Sequence, residues 1–210
     1  MPLVGEHRVF YWLAAETGLR AGEIAGIKLS DIEGESLTVG RTIWGLKEQS
    51  PKTENANRTV ALSPQLISLI WEQIARQRAK EHEYLFSSAN GTPWDMDVFR
   101  SRKLHPLLKS LGIPMAGFHA FRHFNVSLLD AVRVPLKTIQ ERLGHALTGS
   151  FTLDVYGGKP EWNRNLEAAR LAGAEIERAV QQAAQDMNEA AEPDYSGGLT
   201  TGAVEQMKTA

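Results

Sequence analysis

The chain contains no cysteine. Disulfides and thiolate metal sites are therefore excluded, and nothing in it requires an oxidising compartment. There is no apolar run near the ~18 residues that a membrane-spanning helix needs. The N-terminus has no basic start followed by an apolar block, so a cytoplasmic chain with no membrane partner is expected. No internal repeat occurs. His, Asp and Glu nowhere fall at metal-ligand spacing, so neither a metal nor another cofactor is expected. A basic excess is also missing: 23 Lys+Arg stand against 25 Asp+Glu, a net charge of −2. That total hides an asymmetry. Residues 1–160 carry 19 basic and 16 acidic residues, residues 161–210 carry 4 and 9. A mildly basic body with an acidic tail leaves a polyanionic partner open.

What is present reads as 210 residues of ordinary domain size. Residues 6–17 place Val9, Phe10, Trp12 and Leu13 at helical spacing. Gly18 stops that helix, and a second short helix follows Leu19-Arg20-Ala21. Arg20 therefore lies at the break between two helices. Residues 36–43 and 58–62 alternate and are β-rich, which predicts a strand pair with a long polar connection holding Pro51 and Lys52. Ser63-Pro64 opens a helix whose apolar face is Leu66, Ile67, Ile70, Trp71 and Ile74. Leu85-Phe86 reads as a short buried strand. Asp95 or Asp97 caps a helix running to about Leu111, and its Arg100, Arg102, Lys103 and Lys109 form the densest basic patch in the chain. A solvated face is the ordinary meaning of such a run, phosphate contact the sharper one. His105 reads as structural or exposed.

Residues 119–156 carry the most chemistry. His119 and Arg122 stand three apart, on one face of a helix predicted over 119–132. A break at Val134-Pro135 precedes a helix over 136–143, and Gly144 suits its left-handed C-terminus. His145 follows at once. A short segment from Ser150 to Tyr156 is closed by Gly157-Gly158. Pro160 opens a long helix with Leu166, Ala169, Gly173 and Ile176 as its apolar stripe, Leu171 lying off it. From about residue 187 low hydrophobicity and lost periodicity predict disorder. Each motif alone is weak: a His-x-x-Arg pair, a Leu-Gly-His or a lone Tyr all have bland structural explanations.

Together they are specific. TGLRAGEIAGIKLSDI at 17–32, PKTENANRTVAL, and HAFRH, LGH and VYG between 119 and 157 resemble the catalytic domain of the tyrosine recombinases, the phage integrase family. The resemblance spans roughly residues 5–165. It implies an α+β, mainly α fold: a helical bundle with a small antiparallel sheet at one side. It implies a catalytic domain over 1–185 and an acidic tail over 186–210. The N-terminal core-binding domain usual in the family is expected to be absent from this chain. By the same resemblance Arg20, Lys52, His119, Arg122, His145 and Tyr156 take the six catalytic positions, with Glu23 as acidic supporter. Arg100, Arg102 and Lys103 are the candidates for DNA-backbone contact. His123 completes the family's Arg-His pair, with packing or a local hydrogen bond as its expected job.

The implied activity is cleavage and rejoining of double-stranded DNA through a 3′-phosphotyrosyl intermediate, for integration, excision or resolution of a mobile element. Self-association on DNA into a tetrameric synapse goes with it. The segment 161–185 either exchanges with a neighbouring subunit or packs on its own domain. Two neighbouring readings stand beside this one: a catalytically idle DNA-binding remnant, and a type IB topoisomerase-like enzyme. The chemistry suits the residues. Arginines present forked donors to phosphate oxygens, a base is needed to take the tyrosine proton, and the phosphotyrosine keeps the ester energy for religation.

Overall fold

The computed structural model describes residues 6–49, 57–144 and 162–191. The chain begins with helix α1 (Glu6–Thr17), followed by α2 (Ala21–Ala25) and a 3-10 turn at Leu29–Asp31. Five short strands come next: β1 (Ile32–Glu33), β2 (Ser36–Val39), β3 (Thr42–Trp44), β4 (Lys47–Gln49) and β5 (Arg58–Ala61). The rest is helical: α3 (Pro64–Arg78), α4 (Met96–Phe99), a π-helical turn at Arg100–Leu104, α5 (His105–Ser110), α6 (His119–Ala131), α7 (Leu136–Leu143) and α8 (Trp162–Ala191). The expected mainly helical α+β class holds. Among the described residues no helix is long and apolar enough to cross a membrane.

β1, β2 and β5 form one antiparallel sheet in the order β1-β2-β5. Leu37 faces Val60 and Val39 faces Arg58 in its register. The predicted long connection between the strands is not simply a loop. β3 and β4 pair as a separate hairpin, Trp44 opposite Lys47. Its two turn residues, Gly45 and Leu46, both have positive φ (55° and 62°), the requirement of the tight turn that matches strand twist.

α1 is the core helix. Val9, Phe10, Leu13 and Ala14 are almost wholly buried, and α3 contributes Leu66, Ile70 and Ile74 to the same cluster. Phe10 lies 4.7 Å from Phe99 and 5.5 Å from Phe86 by ring centroids, with Phe86 meeting it edge-on, the geometry ring quadrupoles favour. Ser63 caps α3 as expected, its hydroxyl accepting from the Leu66 N–H at 3.2 Å. Two expectations for this region need correction. Trp71 is 42% exposed and lies off the apolar face of α3, where Gln73 and Gln77 are buried instead. Both glutamines donate to the Leu85 carbonyl. Leu85 and Phe86 are fully buried, but only isolated bridges flank them rather than a strand.

Asp95, not Asp97, caps α4, accepting from two N–H groups. The helix predicted to reach Leu111 is interrupted by the π turn. Pro106 has no N–H to donate, and the His105 N–H reaches back to the Arg100 carbonyl. A second apolar cluster joins Leu129, Val134, Ile139 and Leu143 to Ala168 and Ala172 of α8. On α8 the buried residues are Asn165, Ala168, Ala169, Ala172, Gly173 and Ile176, while Leu166 and Leu171 are only half-buried. α8 continues to Ala191, beyond the predicted loss of periodicity. Compactness divides the chain after Glu177. In the second unit residues 178–187 are exposed helix, with Gln182 donating to Asp186 at 2.7 Å. The segment Ser150 to Tyr156 and the predicted tail beyond Ala191 lie outside the described residues.

Candidate active site

The site is built where three chain breaks meet. At the first, α1 stops. The Thr17 hydroxyl donates to the Leu13 carbonyl at 2.6 Å, and Gly18 turns with φ +62°. A Cβ on Gly18 would lie 2.7 Å from Leu143 and 2.9 Å from Asn125, so this turn seats directly on α6 and α7. Arg20 then caps α2. Its backbone N–H donates to Glu23 Oε2 at 2.8 Å, the return half of a capping box. Its Nη1 donates to Glu23 Oε1 at 3.1 Å. Arg20 keeps 45% of its side chain exposed; Glu23 keeps 7%.

The second break is the entry to β5. Arg58 presents Nη1 and Nη2 to the two oxygens of the same carboxylate, at 3.1 and 3.0 Å. Its Nε donates to the Arg142 carbonyl at 2.8 Å. The third break is the end of α7. Arg122, in the first turn of α6, is 7% exposed. It donates from Nη1 to the Gly18 carbonyl at 2.9 Å and from Nη2 to the Leu143 carbonyl at 2.7 Å. Two arginines thus occupy terminal carbonyls of α7, where the helix dipole favours cations. α7 ends in Gly144 with φ +66°. A Cβ there would stand 2.8 Å from Arg58 Nη1 and 3.0 Å from its Cζ.

Two guanidiniums, those of Arg20 and Arg58, therefore share one carboxylate, and Arg122 lies near enough to feel its charge. Burial alone would raise the pKa of Glu23, but hydrogen bonding and charge from Arg58, with help from Arg20, outweigh it and hold the carboxyl below its usual value. Arg122 is pushed the other way. Burial, then the charge of Arg20 and to a lesser degree Arg58, lower it to about 10, with Glu23 offsetting part of the effect. It remains a cation at neutral pH, anchored on two backbone carbonyls.

Beside this cluster opens a cleft of about 380 Å³, lined by Arg20, Trp44, Trp94, Arg100 and His119 among others. His119 is exposed at the start of α6. Arg100 lines the cleft and pairs with Asp97 at 3.0 Å. Arg102 and Lys103 are exposed on the π-helical turn. The structure thus brings Arg20, Glu23 and Arg122 together, with His119 and Arg100 alongside. Lys52, His145 and Tyr156 lie outside the described residues. His123, expected to pack or to make a local hydrogen bond, is exposed rather than buried, its ring 6.5 Å from that of His119.

Sequence reading missed two sets of residues. Arg58 was seen only as part of a strand, although the two-residue alternation of β5 puts it on the same side as buried Val60. The second set is a buried polar frame beneath the site. Glu16 is fully buried, and its carboxylate accepts from the Ser63 N–H (2.7 Å), the Ser63 hydroxyl (2.6 Å) and the Trp12 indole (3.1 Å). Burial raises its pKa. Arg142, also fully buried, donates to the carbonyls of Ala61 (3.2 Å) and Asn165 (2.9 Å) and to the Asn165 side-chain oxygen. Burial lowers it to about 10, and the charge of Glu16 offsets part of that. Asn165 pairs with β5 through Ala61 N–H and the Thr59 carbonyl. This frame fixes α7, β5 and the start of α8 to one another.

The chain is similar to known proteins along most of this length. The model of the phage integrase family matches residues 2–156. A tyrosine recombinase XerC-like protein of Caldanaerobacter subterraneus subsp. tengcongensis is 33% identical over 177 residues, covering 71% of this chain and 44% of that protein. The ICEBs1 integrase of Bacillus subtilis is 32% identical over 164 residues, with the same two coverages, 71% and 44%. The chain thus spans less than half the length of these two relatives. Among solved structures, the Tn1549 transposon integrase in complex with transposon right end DNA superposes with a TM-score of 0.60 at 20% identity, covering 82% of this chain and 58% of that one. The XerA recombinase gives 0.57 at 18% identity, covering 90% and 58%. At such identities the likeness establishes the fold.

Proposed function

Because the chain belongs to the phage integrase family, we propose that it breaks and rejoins double-stranded DNA through a tyrosine-linked intermediate. The observation that carries this is the convergence of Arg20, which caps α2 and lines the open cleft, with Arg122 of α6, whose Nη1 is anchored on the Gly18 carbonyl at 2.9 Å, close enough that the charge of Arg20 lowers the pKa of Arg122. A phosphodiester gains negative charge on its non-bridging oxygens as a nucleophile adds in line. Preorganised guanidiniums stabilise that charge more in the transition state than in the ground state.

In the cleavage step the Tyr156 oxygen bonds to phosphorus while the bond from phosphorus to the 5′-oxygen breaks. His119 accepts the tyrosine proton, Lys52 supplies a proton to the leaving 5′-oxygen, and His145 donates a hydrogen bond to the phosphoryl group. Holding a tyrosine as phenolate at neutral pH costs about 4 kcal/mol, which the nearby cations offset in part. Attack by a 5′-hydroxyl on the phosphotyrosine reverses the step and joins the strands. Arg100, Arg102 and Lys103 contact the DNA backbone. Strand exchange for a mobile element then requires several copies on the DNA, four in a complete synapse. Residues 1–185 form the catalytic domain.

The test is a duplex carrying the recombination site with a nick beside the scissile phosphate, which traps the adduct. A covalent protein–DNA product that disappears in Tyr156→Phe is expected. Arg122→Ala should abolish the adduct while DNA affinity falls by less than about tenfold, since the other cations still hold the phosphate backbone. Binding with no adduct from the wild-type chain would overturn the cleavage reading.

A further inference from the structure

Arg58 lies outside the six expected catalytic positions, yet it touches more of the site's frame than any of the three described ones. Its side chain is 7% exposed, so it presents little surface to a ligand. Two of its nitrogens grip both oxygens of Glu23. Glu23 in turn receives the backbone N–H and Nη1 of Arg20. The third nitrogen of Arg58 reaches the Arg142 carbonyl at the end of α7. The guanidinium lies against Gly144, where a Cβ would stand 2.8 Å from Nη1 and 3.0 Å from Cζ. One side chain therefore bridges the start of α2, the entry to β5 and the residue before His145.

We propose that Arg58 is a positioning residue that holds Arg20, through Glu23, and the His145-bearing end of α7 in a fixed relation for strand cleavage. The inference rests on the proposed DNA cleavage activity and deepens it. Only a forked, planar cation fits this place. Lysine offers a point charge that cannot bond both carboxylate oxygens and a helix carbonyl at once. A misplacement of about 1 Å in a catalytic group is enough to cost ~100-fold in rate, so a residue that touches no substrate has a large lever here.

The experiment uses the full chain and the nicked duplex. Single-turnover adduct formation is measured for the wild type, Arg58→Met, Glu23→Gln and the double variant, with affinity for the same duplex measured separately in the Tyr156→Phe background. Arg58→Met is expected to slow adduct formation by about 100-fold while the dissociation constant changes by less than about threefold. Because Arg58 acts through Glu23, the double variant should lose little more than the worse single one. Cleavage within about threefold of wild type, affinity lost in step with rate, or multiplicative losses in the double variant would each overturn the proposal. If Arg58→Met does not fold, Arg58→Lys takes its place, with at least ~10-fold slower cleavage and unchanged affinity expected.

A second readout needs no DNA. Carbon NMR follows the titration of the Glu23 carboxyl, whose charged neighbours are Arg20, Arg58 and Arg122. In the wild type it titrates below the ordinary carboxylate range; in Arg58→Met, or in Arg58→Lys, it should move upward. A wild-type chain that forms no adduct defeats the cleavage reading, and the Glu23 titration still decides whether Arg58 governs that carboxylate. No upward move refutes the clamp.

Discussion

Gly144→Ala tests whether the end of α7 is set by its backbone or by what presses on it. Gly144 has φ +66°, and so does Gly112. An L-residue in that region costs roughly 1–2 kcal/mol. At Gly112 nothing lies within 4 Å of an added Cβ, so Gly112→Ala should show that backbone cost alone. At Gly144 the same Cβ meets the Arg58 guanidinium at 2.8–3.0 Å. The tip of an arginine normally swings aside cheaply. This one is 7% exposed and held by Glu23 and the Arg142 carbonyl, so moving it stretches charged hydrogen bonds worth about 1.5–3 kcal/mol each. One such bond broken on top of the strain gives a total of roughly 2.5–5 kcal/mol. For a chain of this size each kcal/mol shifts Tm by about 2–4 °C. Gly112→Ala should then lower Tm by roughly 2–8 °C and Gly144→Ala by roughly 5–20 °C, read by thermal circular dichroism. Adduct formation on the nicked duplex should fall in Gly144→Ala and hold in Gly112→Ala. Equal losses of Tm in the two variants would show that Arg58 yields freely, and the close approach would then carry no weight.

Arg142→Met removes the donor to the buried Ala61 and Asn165 carbonyls; leaving buried acceptors unpaired costs about 1–3 kcal/mol each, and a thermal melt unchanged within ~2 °C would refute it. Glu23 and Glu16 should tilt the pH–stability curve in opposite directions. The Glu23 pKa is lowered on folding, so its contribution is present above the unfolded value of 4.5 and lost as pH falls through the lower folded value. The Glu16 pKa is raised, so its contribution is full below 4.5 and declines as pH rises through the higher folded value. Urea melts across acid and neutral pH should therefore show Glu23→Gln flattening the acid limb and Glu16→Gln flattening the fall above 4.5; the reverse pattern would contradict both assignments. Neutralising Arg100, Arg102 and Lys103 to Gln should weaken DNA binding evenly across sequences and reduce the salt slope by about 0.9 for each phosphate no longer neutralised; an unchanged slope would remove that patch from the interface.

The helical frame was legible because its signals are local. Val9, Phe10, Trp12 and Leu13 repeat at helical spacing, Ser63-Pro64 starts α3, and Gly144 stops α7. The β3–β4 hairpin was not legible. Its turn is Gly45-Leu46, and a leucine at φ 62° is a conformation that no residue preference announces. The buried face of α3 carries Gln73 and Gln77, which hydropathy assigns to solvent, and their burial follows from the Leu85 carbonyl across the core. Asn165 is a similar case: a polar residue at the start of α8 is buried because β5 and Arg142 await it. Arg20, Glu23 and Arg122 were found through a family pattern, since their meeting depends on residues far apart in the chain. Arg58 carried a signal of its own, a cation alternating with Val60 in β5, but alternation alone does not say which carboxylate receives it.

The balance of charge at the site leaves its guanidiniums unequally served. Arg58 grips both oxygens of Glu23, Arg20 is oriented by the same carboxylate but still 45% exposed, and Arg122 is bonded to backbone carbonyls, with burial and the charge of Arg20 and Arg58 lowering its pKa to about 10. The folded chain thus holds positive charge at a cost, and an anion entering beside Arg20 removes that cost. A phosphodiester removes part of it on binding. The five-coordinate phosphorus formed during cleavage carries more charge and removes more. Under the proposed function the stability given up around Arg122 is therefore recovered most fully in the transition state, which is the condition for acceleration rather than mere binding.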